Sequence, residues 1–187
     1  SGFFSPTRLT DVPQHVLTHE LGHAASAQEW AIYKKEGVQF FMDMLNDLNG
    51  TAYKTFDEVE DHLKIPFLEK LKAGSVLHSE GVQDVSEMPL LEWYQDFMEF
   101  GQGMSYYGGG GKEERRLLFF LMDQAKEKVS DEISQYASTN FYELYAEMFA
   151  NGLLSDVPSP WSIKLMKLTR EMNTGVKTFT RVAAEVK

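Results

Sequence analysis

Cysteine is absent from the chain, which removes disulfides, thiolate nucleophiles and sulfur ligands from consideration. Any metal ion must therefore be held by histidine and carboxylate. Basic residues are also scarce: lysine and arginine number 18 against 28 acidic residues, for a formal net charge of −10. No long basic run is present, so a nucleic-acid-binding surface is not expected. The nearest cluster, Lys112 to Arg116, is interrupted by two glutamates and reads as a solvated helix start. No apolar run approaches the roughly 18 residues that span a bilayer, so no membrane-spanning helix is expected. The opening Ser1-Gly2-Phe3-Phe4-Ser5-Pro6 has neither the basic beginning nor the apolar core of a secretory signal, which leaves localisation open. Strand signals are few as well. Only Gly2 to Leu9 reads as extended, an edge strand positioned to pair with an extended substrate.

What the chain does contain is His19-Glu20-Leu21-Gly22-His23. Two histidines four residues apart lie on one face of an α-helix, where both rings reach a single metal ion with the intervening glutamate beside them. The flanks favour a helix. Asp11 is a good N-cap, Pro13 suits the first turn, and Val12 to Gln28 has no internal breaker except Gly22. Val16, Leu17, Leu21, Ala24 and Ala25 supply the apolar surface this helix is expected to bury. His15 extends the histidine stripe by one turn. A third histidine on the same straight helix cannot readily close a tetrahedron, so His15 is read as a helix-start or substrate-side residue.

The remaining pattern is helical, and the expected fold is mainly α in one domain. Trp30 to Leu48 repeats apolar residues at helical spacing and stops at Asn49-Gly50. Thr55 is placed to cap a helix through Asp57 and Glu58 that breaks at Pro66 and ends near Gly74. Asp84 to Met88 reads as a polar connection, and Pro89 to Phe100 as an aromatic-rich helix. The four glycines Gly108 to Gly111 read as a flexible loop, lacking the GK[ST] ending of a phosphate cradle. Glu113 to Val129 and Phe141 to Leu154 are further helices, followed by one beginning near Trp161. His62 and His78 default to exposed or core-edge positions. Trp30, Trp93 and Tyr106-Tyr107 default to core.

A catalytic zinc needs a third protein ligand and an open position for water. Ala24 to Gly37 contains no histidine, so that ligand must come from farther along. The segment Tyr136 to Ala150 offers Glu143 and Glu147 at i, i+4 spacing among Tyr145, Met148 and Phe149. Burying two carboxylates there is costly unless positive or hydrogen-bonding groups meet them. Spacing alone leaves the two glutamates as rivals.

The HELGH helix, together with a tyrosine, an asparagine four residues later and Glu-x-x-x-Glu in an aromatic helix, resembles the anthrax lethal factor-like zinc metallopeptidases. This is a gluzincin group to which the bacterial Pro-Pro endopeptidases look related. The resemblance implies a zincin-like metallopeptidase domain with one zinc ion per chain, bound by His19, His23 and Glu143. It further implies Glu20 as general base, Tyr136 as the phenol that stabilises the oxyanion, and Glu147, with Asn140, as outer groups that orient the ligands. Residues 1–27 would hold the edge strand and HELGH helix, 28–128 a helical insertion longer than in lethal factor, and 129–187 the Tyr/Glu segment and C-terminal helix. Similar segments occur in metallopeptidase-like domains at the ends of phage head-morphogenesis proteins. The implied partner is thus a protein or peptide substrate, and the implied setting includes a larger viral or toxin polypeptide. The competing reading is a zincin scaffold that acts in assembly without catalysis. Retention of both Glu20 and Tyr136, neither needed to hold metal, favours the enzyme.

Overall fold

The computed structural model describes residues 11–26, 35–78, 85–100 and 112–172. The extended segment Gly2 to Leu9, the glycine run, Trp30 and Tyr106-Tyr107 lie outside them. Among the described residues the chain forms seven α-helices and no strand, so the mainly helical expectation holds. These are α1 (Asp11–Ser26), α2 (Lys35–Asn49), α3 (Asp61–His78), α4 (Leu90–Phe100), α5 (Lys112–Glu132), α6 (Phe141–Leu154) and α7 (Pro160–Met172), with short 3-10 turns at Phe56–Glu58 and Tyr136–Ser138.

Local chemistry sets most boundaries. Gly50 ends α2 in the left-handed region, at φ 68°, which only glycine adopts without strain. The Asn140 side chain accepts a hydrogen bond from the Glu143 amide at 2.9 Å and so caps α6. Two expectations fail around α3. Glu58 accepts from the Thr55 and Lys54 amides, which depresses its carboxyl below the ordinary value, but the capped element is only the turn Phe56–Glu58. The helix proper starts afresh at Asp61 and runs through Pro66 and past Gly74 to His78. Proline removes one backbone bond there, and the buried Phe67 and Leu68 hold that turn against the core.

The core is organised around α5 and α6. Leu117, Leu121, Ala125 and Val129 form a stripe at i, i+4 spacing along α5, all fully buried. Phe120 on the same helix meets the rings of Tyr53, Phe56 and Phe67 at centroid distances of 5.6 to 6.2 Å. α2 packs on α5, and its Phe41 ring stands edge-on to Phe141 of α6 at 5.6 Å. The described residues between 35 and 128 therefore share the core that supports the glutamate helix. Trp93 is buried in it, as expected, whereas His62 is exposed and pairs with Glu60 at 3.2 Å. α6 is buried on nearly every side, enclosed by α1, α7 and the Tyr136 turn.

α1 is rotated away from its expected orientation. Val16 and Leu17 are 45% and 63% exposed, Ala24 is exposed, and Leu21 only partly packs on the core. The inward face is instead His15, Thr18, His19, Gly22 and Ala25. The reason is close approach: a Cβ on Gly22 would stand 2.9 Å from the Ala146 Cα and 3.1 Å from the Phe149 Cβ. Glycine lets α1 lie directly on the α6 backbone, which brings the short, polar face inward. Gly22→Ala is therefore expected to destabilise the fold. Overpacking against backbone costs about 1–3 kcal/mol, more than the roughly 1 kcal/mol that alanine adds in helix propensity. Gly74, with nothing within 4 Å of its virtual Cβ, is the control, and Gly74→Ala should raise the urea midpoint where Gly22→Ala lowers it.

Candidate metal centre

The α1–α6 crossing brings the sequence-nominated donors together. His19 Nε2 lies 2.8 Å from Glu143 Oε2. His23 Nε2 lies 3.2 Å from that same oxygen and 2.9 Å from His19 Nε2. The three atoms form a small triangle at a half-buried rim. For zinc bonds of about 2.0–2.1 Å, a tetrahedral face has edges of about 3.3 Å, so the triangle is slightly contracted from one that encloses an ion.

Beneath the triangle lies Glu147, fully buried. Its Oε2 accepts from His19 Nδ1 and from His15 Nε2, each at 2.7 Å. Its Oε1 accepts from the Ser134 hydroxyl at 2.7 Å. Burial alone would raise this carboxyl, yet the hydrogen bonds from His15, His19 and Ser134 outweigh it and hold the pKa at about 2. Glu147 is thus an ionised acceptor, and His19 must place its Nδ1 proton on that side. The neutral tautomer then directs the Nε2 lone pair into the triangle, the arrangement a metal-binding histidine needs. Burial opposes a second proton on His19, but the hydrogen bond and charge of Glu147, followed by the charges of Glu143 and Glu20, raise its pKa above the ordinary value. The same negative field favours a divalent cation. The donor set of nitrogen and oxygen without sulfur, in near-tetrahedral spacing, fits zinc.

Glu20 is exposed on the flank of α1, and its charge acts on both His19 and Tyr136. The Tyr136 ring lies 5.6 Å from the His19 ring and is 43% exposed. The Glu143 charge, then partial burial and the charges of Glu147 and Glu20, push its phenol pKa up, so the hydroxyl stays a donor. Neither Glu20 nor Tyr136 supplies one of the triangle's three donor atoms.

No protein-family model, curated protein or solved structure matches this chain.

Two sequence expectations change here. His15 is neither a helix-start nor a substrate-side residue: it is buried and donates to Glu147, a role signalled in retrospect by its place on the His15–His19–His23 stripe. Asn140 works through the α6 backbone as an N-cap, fixing Glu143 from behind. Ser134 was not anticipated, since nothing in its local pattern points thirteen positions ahead to Glu147.

The Glu147 pKa has a measurable consequence. A carboxyl depressed from 4.5 to about 2 on folding stabilises the native state above the unfolded value, and that contribution is lost as pH falls from about 4.5 through about 2. By linkage the full contribution is about 3 kcal/mol. Urea unfolding of zinc-free protein should show a stability gap between wild type and Glu147→Gln that narrows across this window. A gap independent of pH would contradict the assignment.

Proposed function

We propose that the chain is a zinc-dependent metalloendopeptidase acting on protein or peptide substrates. The observation that carries this reading is the triangle of His19 Nε2, His23 Nε2 and Glu143 Oε2, with edges of 2.8 to 3.2 Å, flanked by an exposed glutamate and an exposed tyrosine. When bound, zinc supplies the Lewis acidity that lowers the pKa of water toward about 7 and polarises a carbonyl.

The other steps belong to the chain. Glu20 is exposed on the flank of α1, suited to take the proton of the attacking water and return it to the leaving amine. Tyr136 donates its phenolic hydrogen bond to the carbonyl oxygen as that oxygen becomes negative, an effect worth about 3 kcal/mol of barrier in comparable sites. Glu147 keeps the His19 ring oriented and its Nε2 lone pair directed at the metal position. A structural zinc site fits less well, because such sites close with a fourth histidine or cysteine.

The expected result is about one zinc per chain by elemental analysis after reconstitution, together with cleavage of a peptide library that a chelator abolishes and added zinc restores. Failure to take up zinc would remove the site. One zinc without hydrolysis of any library peptide would favour a zincin scaffold used in assembly, within a larger viral or toxin polypeptide.

A further inference from the structure

We propose that Ser134 is a positioning residue that ties the turn carrying Tyr136 to the carboxylate that orients His19. The inference rests on the metallopeptidase reading and adds a residue to it. Glu147 uses its two oxygens for two different partners. Oε2 serves the histidines His15 and His19, and Oε1 takes the Ser134 hydroxyl, each bond at 2.7 Å. The Ser134 oxygen in turn accepts the Ala137 amide at 3.1 Å. Ala137 is the middle residue of the Tyr136–Ser138 turn and directly follows the tyrosine.

Ser134 is 2% exposed, and all members of the relay are buried, so water does not compete for these bonds. The turn has its own braces: Thr139 donates its hydroxyl to the Tyr136 carbonyl, and Ser138 to the Gln135 carbonyl, both at 2.7 Å. Those bonds shape the turn but run within it. The Ser134 relay connects it to Glu147 and, through Glu147, to His19. One carboxylate thereby sets the distance between the metal-side ring and the phenol, 5.6 Å between centroids.

The test uses the full zinc-loaded chain, a fluorogenic peptide bearing a sequence cleaved in the library, and Ser134→Ala beside Ser134→Thr. Ser134→Ala should lower kcat by about tenfold or more with KM little changed, as expected for a misplaced catalytic group. Zinc affinity should stay within about threefold of wild type, short of the tenfold or greater loss typical of removing a ligand's own partner. In a Tyr136→Phe background the same change should cost less than about twofold, because the two residues act through one interaction. Ser134→Thr keeps the hydroxyl and should restore turnover. Independently of activity, the Ala137 amide should exchange its hydrogen about tenfold faster in zinc-free Ser134→Ala.

Wild-type turnover in Ser134→Ala, losses additive with Tyr136→Phe, or unchanged Ala137 exchange would each overturn the proposal. A zinc affinity lowered as far as in Glu147→Gln would do so as well, since Ser134 would then serve only the metal side. Should Ser134→Ala fail to fold, Ser134→Cys, a weak donor of similar size, takes the same measurements. If the wild-type protein cleaves nothing, the metallopeptidase reading falls by itself, and Ala137 exchange still decides whether Ser134 holds the turn.

Discussion

Glu20→Gln is expected to leave zinc binding intact and to lower kcat/KM by about 10²- to 10⁴-fold, the range for loss of a positioned general base. The side chain is exposed and is not one of the three triangle donors. The substitution keeps its shape and removes its ability to take a proton. Fold and metal content should therefore match wild type by circular dichroism and elemental analysis. A variant with full activity would show that another group accepts the proton. Loss of zinc together with activity would show that Glu20 is a ligand.

The second large effect separates the two glutamates of α6. Glu143→Ala removes the oxygen that lies 2.8 Å from His19 Nε2 and 3.2 Å from His23 Nε2, and it should abolish activity with loss of most bound zinc. Glu147→Gln leaves all three triangle atoms in place. It replaces the buried acceptor of His15 and His19, so zinc affinity should fall by about ten- to a hundredfold while some turnover survives in excess metal. Truncating Glu147 to alanine is the poorer experiment, because three buried donors, on His15, His19 and Ser134, lose their acceptor at once. Competition with a chromogenic chelator ranks the variants. A more severe loss from Glu147→Gln would reverse the assignment.

The donors were legible in the sequence because their spacing is local: His19 and His23, and likewise Glu143 and Glu147, lie one helical turn apart. So were the ends of α2 at Gly50 and the start of α6 at Asn140, where one side chain or one φ angle decides. What could not be read was set by tertiary contact. The apolar residues of α1 suggested an inward face of Val16 and Leu17, whereas a glycine in van der Waals contact with another helix turned the histidines inward. Pro66 looked like an interruption of the helix because its backbone penalty is local, while the burial of Phe67 and Leu68 that offsets it is not. His15 and Ser134 gained roles only through Glu147, which is 132 and 13 positions away respectively.

The crossing of α1 and α6 also has a temporal side. His23 and Glu143 are 120 positions apart, and His19 and Glu147 are 128 apart. At translation rates of about 5–20 residues per second, the glutamate helix is made roughly 6 to 24 s after the histidine helix. Throughout that interval the histidines have no α6 carboxylate to meet, and the nascent chain holds two of the three triangle donors. α6 is also enclosed by α7, whose buried Leu165 and Thr169 come later still, so the packing around the glutamate helix is complete only once α7 has been made.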